Sequence, residues 1–474
     1  MSDYYDLVVI GSGPAGEKGA AQAAYFGKKV ALVERASQLG GASINWGIPS
    51  KALRETALYF SGLRQRGLFS IDYSLNDEPT VSDLMYREHE VVHNAEELLQ
   101  RNIDVHKIEV VNRNASLKDA HTVRVRQENG EDRYLETEVI LISTGASAYH
   151  PPDIPFDHHL IHDSDTIFGI DRIPKTMVVV GGGVIGTEFA SIFTTLGIQV
   201  TLIASQDRLV PFVDREITGR LQTQLENLGL RFHFNERAAK VQARDQHVNI
   251  FLQSGERLEF DLALIAAGRQ SNIQGMGLEE AGVKLGQRGL ILVNENYQTS
   301  VPNIYAAGDV VGFPALASTS MEQARTAIAH AFDFQYPGGN IHIIPMAIYT
   351  VPEIAMVGLT EDACKEKNIP YLVGRAYYEK NPRGLILGDR SGMVKLIFSP
   401  HDKKILGVHH IGEMSSELVH IGTQVLAKGG TIDDFRETIF NYPTLSDLYK
   451  YAAYDGISSW RQWLKAKSGE AVIV

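Results

Sequence analysis

The chain carries the same three-part unit twice, and that repeat restricts the fold more than any other feature. Leu7-Val8-Val9-Ile10 is an apolar run long enough for a buried parallel strand, and it empties directly into Gly11-Ser12-Gly13-Pro14-Ala15-Gly16. Small residues follow at Gly19, Ala20, Ala23 and Ala24, the packing side of a helix that stops near Gly27; Lys29 to Glu34 then reads as the next strand. Glycines in such a turn let the backbone approach a pyrophosphate at the helix N-terminus, and an acidic residue about 20 positions on bonds a ribose hydroxyl. Gly11, Gly13, Pro14, Ala15, Gly16 and Glu34 are therefore candidate dinucleotide-binding residues. A glycine-rich turn alone is weak evidence, but here strand, turn, helix and Glu34 stand in register.

The second unit begins at Met177-Val178-Val179-Val180 and runs into Gly181-Gly182-Gly183-Val184-Ile185-Gly186, then a helix through Leu196 and a strand from Gln199 to Ile203. Its candidate binding residues are Gly181, Gly183, Ile185 and Gly186. The position that should be acidic is Ala204, followed by Ser205-Gln206-Asp207-Arg208. No carboxylate at 204 repels a 2′-phosphate, and Arg208 could attract one, so this unit is expected to accept NADPH, with NADH alongside if Asp207 turns onto a ribose.

At 474 residues the chain has room for about three domains. With 45 basic and 57 acidic residues its net charge is −12, which gives no counterion-release drive toward nucleic acid. The opening Met1 to Asp6 is acidic and runs straight into an apolar strand, the wrong charge order for a signal peptide, so a cytoplasmic location is expected. The apolar stretch from Ile341 to Gly358 is broken by Pro345, Pro352 and Glu353 and is too short for a membrane span. The one cysteine, Cys364, lies in a polar, helix-like segment and reads as an inert thiol; it excludes intrachain disulfides, cysteine-based zinc sites and iron-sulfur clusters. His158, His159 and His162 have metal-like spacing, but in the Pro151 to Pro174 connector they read as solvated loop residues, and no metal site is expected. His409 and His410 alternate along a strand, Trp460 and Trp463 mark a packed helix face, and the charged run from Glu128 to Glu138 reads as a solvated hairpin. Nothing in the sequence assigns a role to Ala471-Val472-Ile473-Val474.

Five further segments complete a recognisable pattern: Ile48-Pro49-Ser50-Lys51, Ser143-Thr144-Gly145, Ala266-Ala267-Gly268-Arg269, Ile304 to Asp309, and Tyr349-Thr350-Val351-Pro352-Glu353-Ile354. Over nearly its whole length the chain resembles the flavoproteins with two dinucleotide-binding domains, the pyridine nucleotide-disulfide oxidoreductase family. That resemblance implies an α/β protein with two Rossmann-like domains and an α+β C-terminal dimerisation domain. It implies FAD-binding segments at 1–150 and 276–345, a nicotinamide-nucleotide domain at 151–275, and dimerisation through 346–474 in a homodimer. It implies that Thr144, Gly145 and Gly268 line the cofactor sites, that Asp309 holds the flavin's ribityl chain, and that Lys51 and Glu188 pair beside the flavin. A cation there stabilises negative charge on a reduced isoalloxazine, and the carboxylate holds the lysine in place.

The chain departs from that family where its disulfide chemistry resides. Gly40-Gly41-Ala42-Ser43-Ile44-Asn45-Trp46-Gly47-Ile48 puts Ser43 at the first redox-cysteine position, and the second position is deleted. In the C-terminal segment Tyr442 replaces the acid/base histidine, with Asp447 nearby; both are candidates for a contribution to the partner subunit's flavin site. A phenol with a pKa near 10 is a poor proton shuttle at neutral pH, so thiolate and base have gone together. The Asn-Tyr-Pro-Thr stretch, Trp46-Gly47 and Asp207-Arg208-Leu209 are similar to the soluble transhydrogenase branch. The expected activity is therefore ping-pong hydride transfer between NADPH and NAD through FAD, without a protein thiol. An NAD(P)H oxidase or a reductase of quinones or another diffusible acceptor is the alternative, and a non-catalytic flavoprotein subunit is the third.

Overall fold

The structure is a computed structural model that describes residues 3–65, 80–127, 130–336, 338 and 343–468. The chain divides into two compact units. One comprises Met1–Ala52, Met85–Tyr149 and Gly268–Ile341; the other comprises Leu53–Leu84, His150–Ala267 and His342–Val474. The fold is α/β, as the repeated unit requires.

In the first unit the strand Asp3–Ile10 lies between Val30–Glu34 and Asp132–Ile142, parallel to both, and Glu109–Asn112 and Ile304–Ala306 extend the parallel sheet on either side. Leu7, Val8 and Val9 are fully buried because both faces of the sheet are covered, Leu7 and Val9 packing with helix residues such as Ala20 and Leu99 and Val8 with Val123, Val125 and Met276 from strands and loops, which is why the sequence there is an unbroken apolar run. The first strand begins earlier than its apolar core because Asp3 to Tyr5 pair with Leu135 to Thr137 and the Tyr5 hydroxyl donates to the Glu109 carboxylate at 2.6 Å. The helix Pro14–Tyr25 opens on a proline, whose fixed φ and missing N–H suit the first helical position. The charged run proves to be half of a hairpin, Thr122–Arg126 against Asp132–Ile142, with residues 128 and 129 outside the described part. Leu135 and Thr137 face inward while Glu136 and Glu138 face solvent, and the strand then continues into the core.

In the second unit five parallel strands run in the order Arg231–Phe234, Gln199–Ala204, Thr176–Val180, Leu262–Ile265 and Ile161–His162. His162 is not the solvated loop residue its surroundings suggested. It is a strand residue, 1% exposed, and burial holds its imidazole below the usual range. A separate antiparallel sheet, in the order Met346–Ile348, Ile354–Gly358, Ile405–Ile411, Met393–Phe398 and Leu372–Tyr377, packs against the helices Ser415–Ala427 and Leu448–Ser468. His409 and His410 are both buried in that sheet; His409 bonds the Leu359 carbonyl and His410 the Tyr449 hydroxyl, and desolvation takes His410 down to about 3. Trp460 fixes the last helix by donating to the Pro400 carbonyl at 2.9 Å, and Trp463 meets His401 edge to face. Residues 471–474 lie outside the described part. No helix among the described residues is long and apolar enough to cross a membrane.

Candidate functional site

The first glycine loop closes on itself. A Cβ at Gly16 would stand 1.8 Å from the Gly11 carbonyl oxygen, so only glycine lets the helix start this close to the strand it leaves. Ser143 ties the neighbouring strand to the same loop, its hydroxyl reaching the carbonyls of Ile10 and Gly11 at 3.0 and 2.9 Å. Glu34 accepts from the Ser12 N–H and hydroxyl, both at 2.8 Å, and from the Ala36 N–H at 2.9 Å. These bonds fix the carboxylate at the loop, where its remaining lone pairs can take a ribose hydroxyl.

Gly13, by contrast, faces open space: a Cβ there meets no protein atom within 4 Å. Pro14, Ala15 and Gly16 form the first turn behind it, where unpaired N–H groups and the helix dipole favour an anion. The buried Thr144 hydroxyl has no partner among the described residues. Gly145 accepts from the Asn272 N–H. Asp309 opens a short turn at the end of the strand Ile304–Ala306. Glu34 ends a parallel strand, and Gly11, Thr144 and Asp309 follow the carboxyl ends of its neighbours in the same sheet, where α/β proteins bind ligands. An open glycine turn, an orphaned hydroxyl and a carboxylate fixed at the loop suit the nucleotide portion of FAD.

The second loop repeats the construction in the other unit. A Cβ at Gly186 would lie 1.9 Å from the Gly181 carbonyl oxygen, and Gly183 is open like Gly13. Ile185 lies in the first turn of the helix Val184–Thr195. Ala204, 1% exposed, ends its strand as Glu34 does, and the Val210 N–H bonds the Gly182 carbonyl at 2.9 Å. Arg208 is turned onto the Asp362 carboxylate at 3.4 Å and onto the Pro211 carbonyl, so a 2′-phosphate must compete with both. Gly268, in the first unit, accepts from the Tyr149 N–H at 2.9 Å.

Ala204→Glu should reproduce the first loop's arrangement in the second, with a carboxylate at the ribose position. It should shift preference from NADPH toward NADH by roughly tenfold in the ratio of kcat/KM values. An unchanged ratio in steady-state assays with both nucleotides would remove position 204 from nucleotide selection.

Lys51 lies in the helix Ile48–Gln65, with its ammonium 3.2 Å from the Ser50 hydroxyl. Glu188, 5% exposed, accepts the Tyr349 N–H at 2.8 Å. The two belong to different compact units. Ser43 to Gly47 form one π-helical turn running directly into that helix, the local form of the shortened redox loop. Tyr442 is 67% exposed and Asp447 is buried. Cys364 sits buried in the helix Glu361–Glu366, its thiol pushed up by desolvation.

Ser12 and Ser143 stand inside recognised segments but carry no signal of the bonds they make, whereas the buried Lys395, a lysine inside the apolar run Met393–Phe398, was a readable signal. Lys395 donates to Asp214 at 2.8 Å and lies 2.9 Å from Glu216, with Glu361 completing the group.

Two glycine loops that each pass from a parallel strand into a helix, one with a carboxylate ending the next strand and one without, have the form expected of an oxidoreductase that works with two dinucleotides. The family described as pyridine nucleotide-disulphide oxidoreductase matches residues 5–331, and its dimerisation domain matches residues 344–453. The chain belongs to that family: it is an FAD-dependent NAD(P)H oxidoreductase whose C-terminal domain fits a homodimer. It is 40% identical over 459 residues to the soluble pyridine nucleotide transhydrogenase of Mycobacterium tuberculosis, covering 96% of this chain and 98% of that one. A protein of the same name from Colwellia psychrerythraea is 38% identical, with the same coverage. Among solved structures, LpdA of Mycobacterium tuberculosis superposes with a TM-score of 0.88 at 26% identity, over 95% of this chain and 99% of that one. The HOCl-induced flavoprotein disulfide reductase RclA of Escherichia coli gives 0.83 at 27%, over 94% and 99%.

Proposed function

We propose that the chain is a soluble NAD(P)+ transhydrogenase, carrying reducing equivalents from NADPH to NAD through one nucleotide pocket used in alternation. The observation that carries this reading is the shortened loop: both nucleotide cradles are built, yet Ser43 stands at a redox-cysteine position and the chain's one cysteine is buried in another domain. The names of the relatives at 37–40% identity support it. When bound, FAD would supply a two-electron store between the two nicotinamide nucleotides.

The chain's own residues bind and hold. In the proposed division, 1–150 and 276–345 carry FAD, 151–275 the nicotinamide nucleotide, and 346–474 the dimer contact. Gly181, Gly183, Ile185 and Gly186 take the nucleotide's pyrophosphate, and Arg208 meets a 2′-phosphate if it leaves Asp362. Lys51 is assigned to stabilise negative charge on the ring system when the cofactor is bound, and Glu188, which accepts the Tyr349 N–H, is the carboxylate assigned to that lysine. Tyr442 and Asp447 are assigned to the partner subunit's flavin site. We place the reaction in the cytoplasm, which suits a chain that has no disulfide to maintain.

The test is anaerobic: one equivalent of NADPH, then thio-NAD, with flavin absorbance followed throughout. Fast bleaching and fast recovery with stoichiometric thio-NADH are expected. Bleaching that recovers only when oxygen or a quinone is admitted would replace this reading with an oxidase or quinone reductase, and no bleaching with either nucleotide would leave a non-catalytic flavoprotein. Lys51→Ala should slow the bleaching by roughly a hundredfold with FAD content unchanged; unaltered stopped-flow kinetics would remove Lys51 from the mechanism.

A further inference from the structure

Two side chains that the proposed reaction does not use, Arg269 and Trp46, converge with Asp309 in the first unit. The Arg269 guanidinium approaches the Asp309 carboxylate at 4.0 Å, donates to the Ala146 carbonyl, and lies 5.9 Å from the ring centroid of Trp46. Trp46 belongs to the π-helical turn Ser43–Gly47, and Arg269 begins the short strand Arg269–Ser271, which pairs with Ala146–Ala148. A part of the shortened redox loop is thereby connected to Asp309 through one cation.

Asp309 needs that cation. Its side chain is 23% exposed, and burial pushes its carboxyl above the ordinary carboxylate range while Arg269 draws it back. The other groups around the turn are neutral: the Gln323 amide accepts the Gly308 N–H at 2.8 Å, and Ser320 and Ala15 lie against Gly308. Among the described residues Arg269 is the charged group that acts on Asp309.

We propose that Arg269 is a positioning residue for the flavin: held by the Ala146 carbonyl and the Trp46 ring, it supplies the counter-charge that lets Asp309 accept hydrogen bonds from the ribityl chain. The inference rests on the assignment of Asp309 to that chain. A carboxylate accepts through both oxygens, whereas its acid form gives up acceptor capacity and gains a donor. Protonation of Asp309 therefore loosens the cofactor, and FAD is released as pH falls through the Asp309 pKa. Removing Arg269 takes away the influence that lowers this pKa, so release must begin at a higher pH.

The experiment dilutes purified holoenzyme into buffers from acid to neutral pH and follows the fluorescence of released flavin. Arg269→Gln should move the midpoint of release upward by about one pH unit or more, and Arg269→Lys, which keeps the charge, should restore most of the shift. Trp46→Leu should give a smaller upward shift, because the guanidinium loses one of its supports. Asp309→Asn should bind FAD more weakly and lose this limb of the pH profile. An unmoved midpoint in Arg269→Gln, or weaker binding by the same factor at every pH, would overturn the role of Arg269. Undiminished FAD affinity in Asp309→Asn would instead overturn the ribityl assignment beneath it.

Discussion

Gly16→Ala is expected to yield protein without FAD, whereas Gly13→Ala is expected to fold normally and still lose the cofactor's affinity. The two glycines look equivalent in sequence, but their surroundings separate them. At position 16 a methyl group would stand 1.8 Å from the Gly11 carbonyl oxygen and 2.6 Å from the Ser143 hydroxyl, so strand and helix must move apart. Overpacking of that kind costs about 1–3 kcal/mol and opens the loop that presents the N–H groups. At position 13 the backbone is extended, with φ −62° and ψ −178°, which alanine adopts without strain. The methyl group meets no protein atom there, so it can interfere only with what the loop is built to hold. Thermal midpoint and FAD dissociation constant together check both: Gly13→Ala should leave the midpoint in place and weaken FAD at least about tenfold. Unchanged FAD affinity would mean that the pyrophosphate does not lie against Gly13. Gly183→Ala should act the same way in the second unit, raising KM for the nicotinamide nucleotide while the protein keeps its FAD.

This contrast shows what the sequence could and could not convey. The order of strand, turn and helix was legible because each part has its own signal: an unbroken apolar run, glycines at fixed offsets, small residues at helical spacing. Glu34 was legible because its distance from the loop is set by one helix and two turns. Which glycine is packed against backbone and which faces a ligand was not legible, because both identities satisfy the same pattern. His162 was misread for a related reason. Its neighbours are proline and acidic residues typical of a loop, and a two-residue strand at a sheet edge is too short to show a period. Arg208 carried the charge a 2′-phosphate needs, but the sequence could not show that Asp362, 154 positions away, already holds it. Long-range pairing of that kind exists only once the chain has folded.

Lys395→Met should destabilise the protein by about 3 kcal/mol, the lower end of the range for breaking a buried ion pair. Lys395 is 0% exposed, and its ammonium meets three carboxylates: Asp214, which caps the helix Arg215–Asn227, Glu216 in that helix's first turn, and Glu361 near the start of the helix Glu361–Glu366. Two of the three follow the strand Gln199–Ala204, while Lys395 and Glu361 come from the C-terminal segment, so the lysine ties one segment to the other. A methionine fills the space but leaves Asp214, 1% exposed, without its cation. Arg375 still serves Glu216 at 2.9 Å, which is why the loss falls at the lower end. The pH dependence follows from the direction of each shift. Lys395 is raised above its usual 10.5, so its contribution is complete below that value and fades as pH climbs through the raised pKa. Asp214 and Glu216 are lowered from 3.8 and 4.5, so theirs is complete above those values and fades as pH falls through the lowered ones. In the variant these carboxyls lose the ammonium and their pKa values rise, so protonation relieves them sooner. The gap between wild type and Lys395→Met in chemical denaturation should therefore be widest near neutral pH and should narrow as pH approaches the carboxylate range. Adding Asp214→Asn to the variant should recover part of the loss. A gap that stays constant with pH would show that Lys395 contributes packing alone and that the three carboxylates do not depend on its charge.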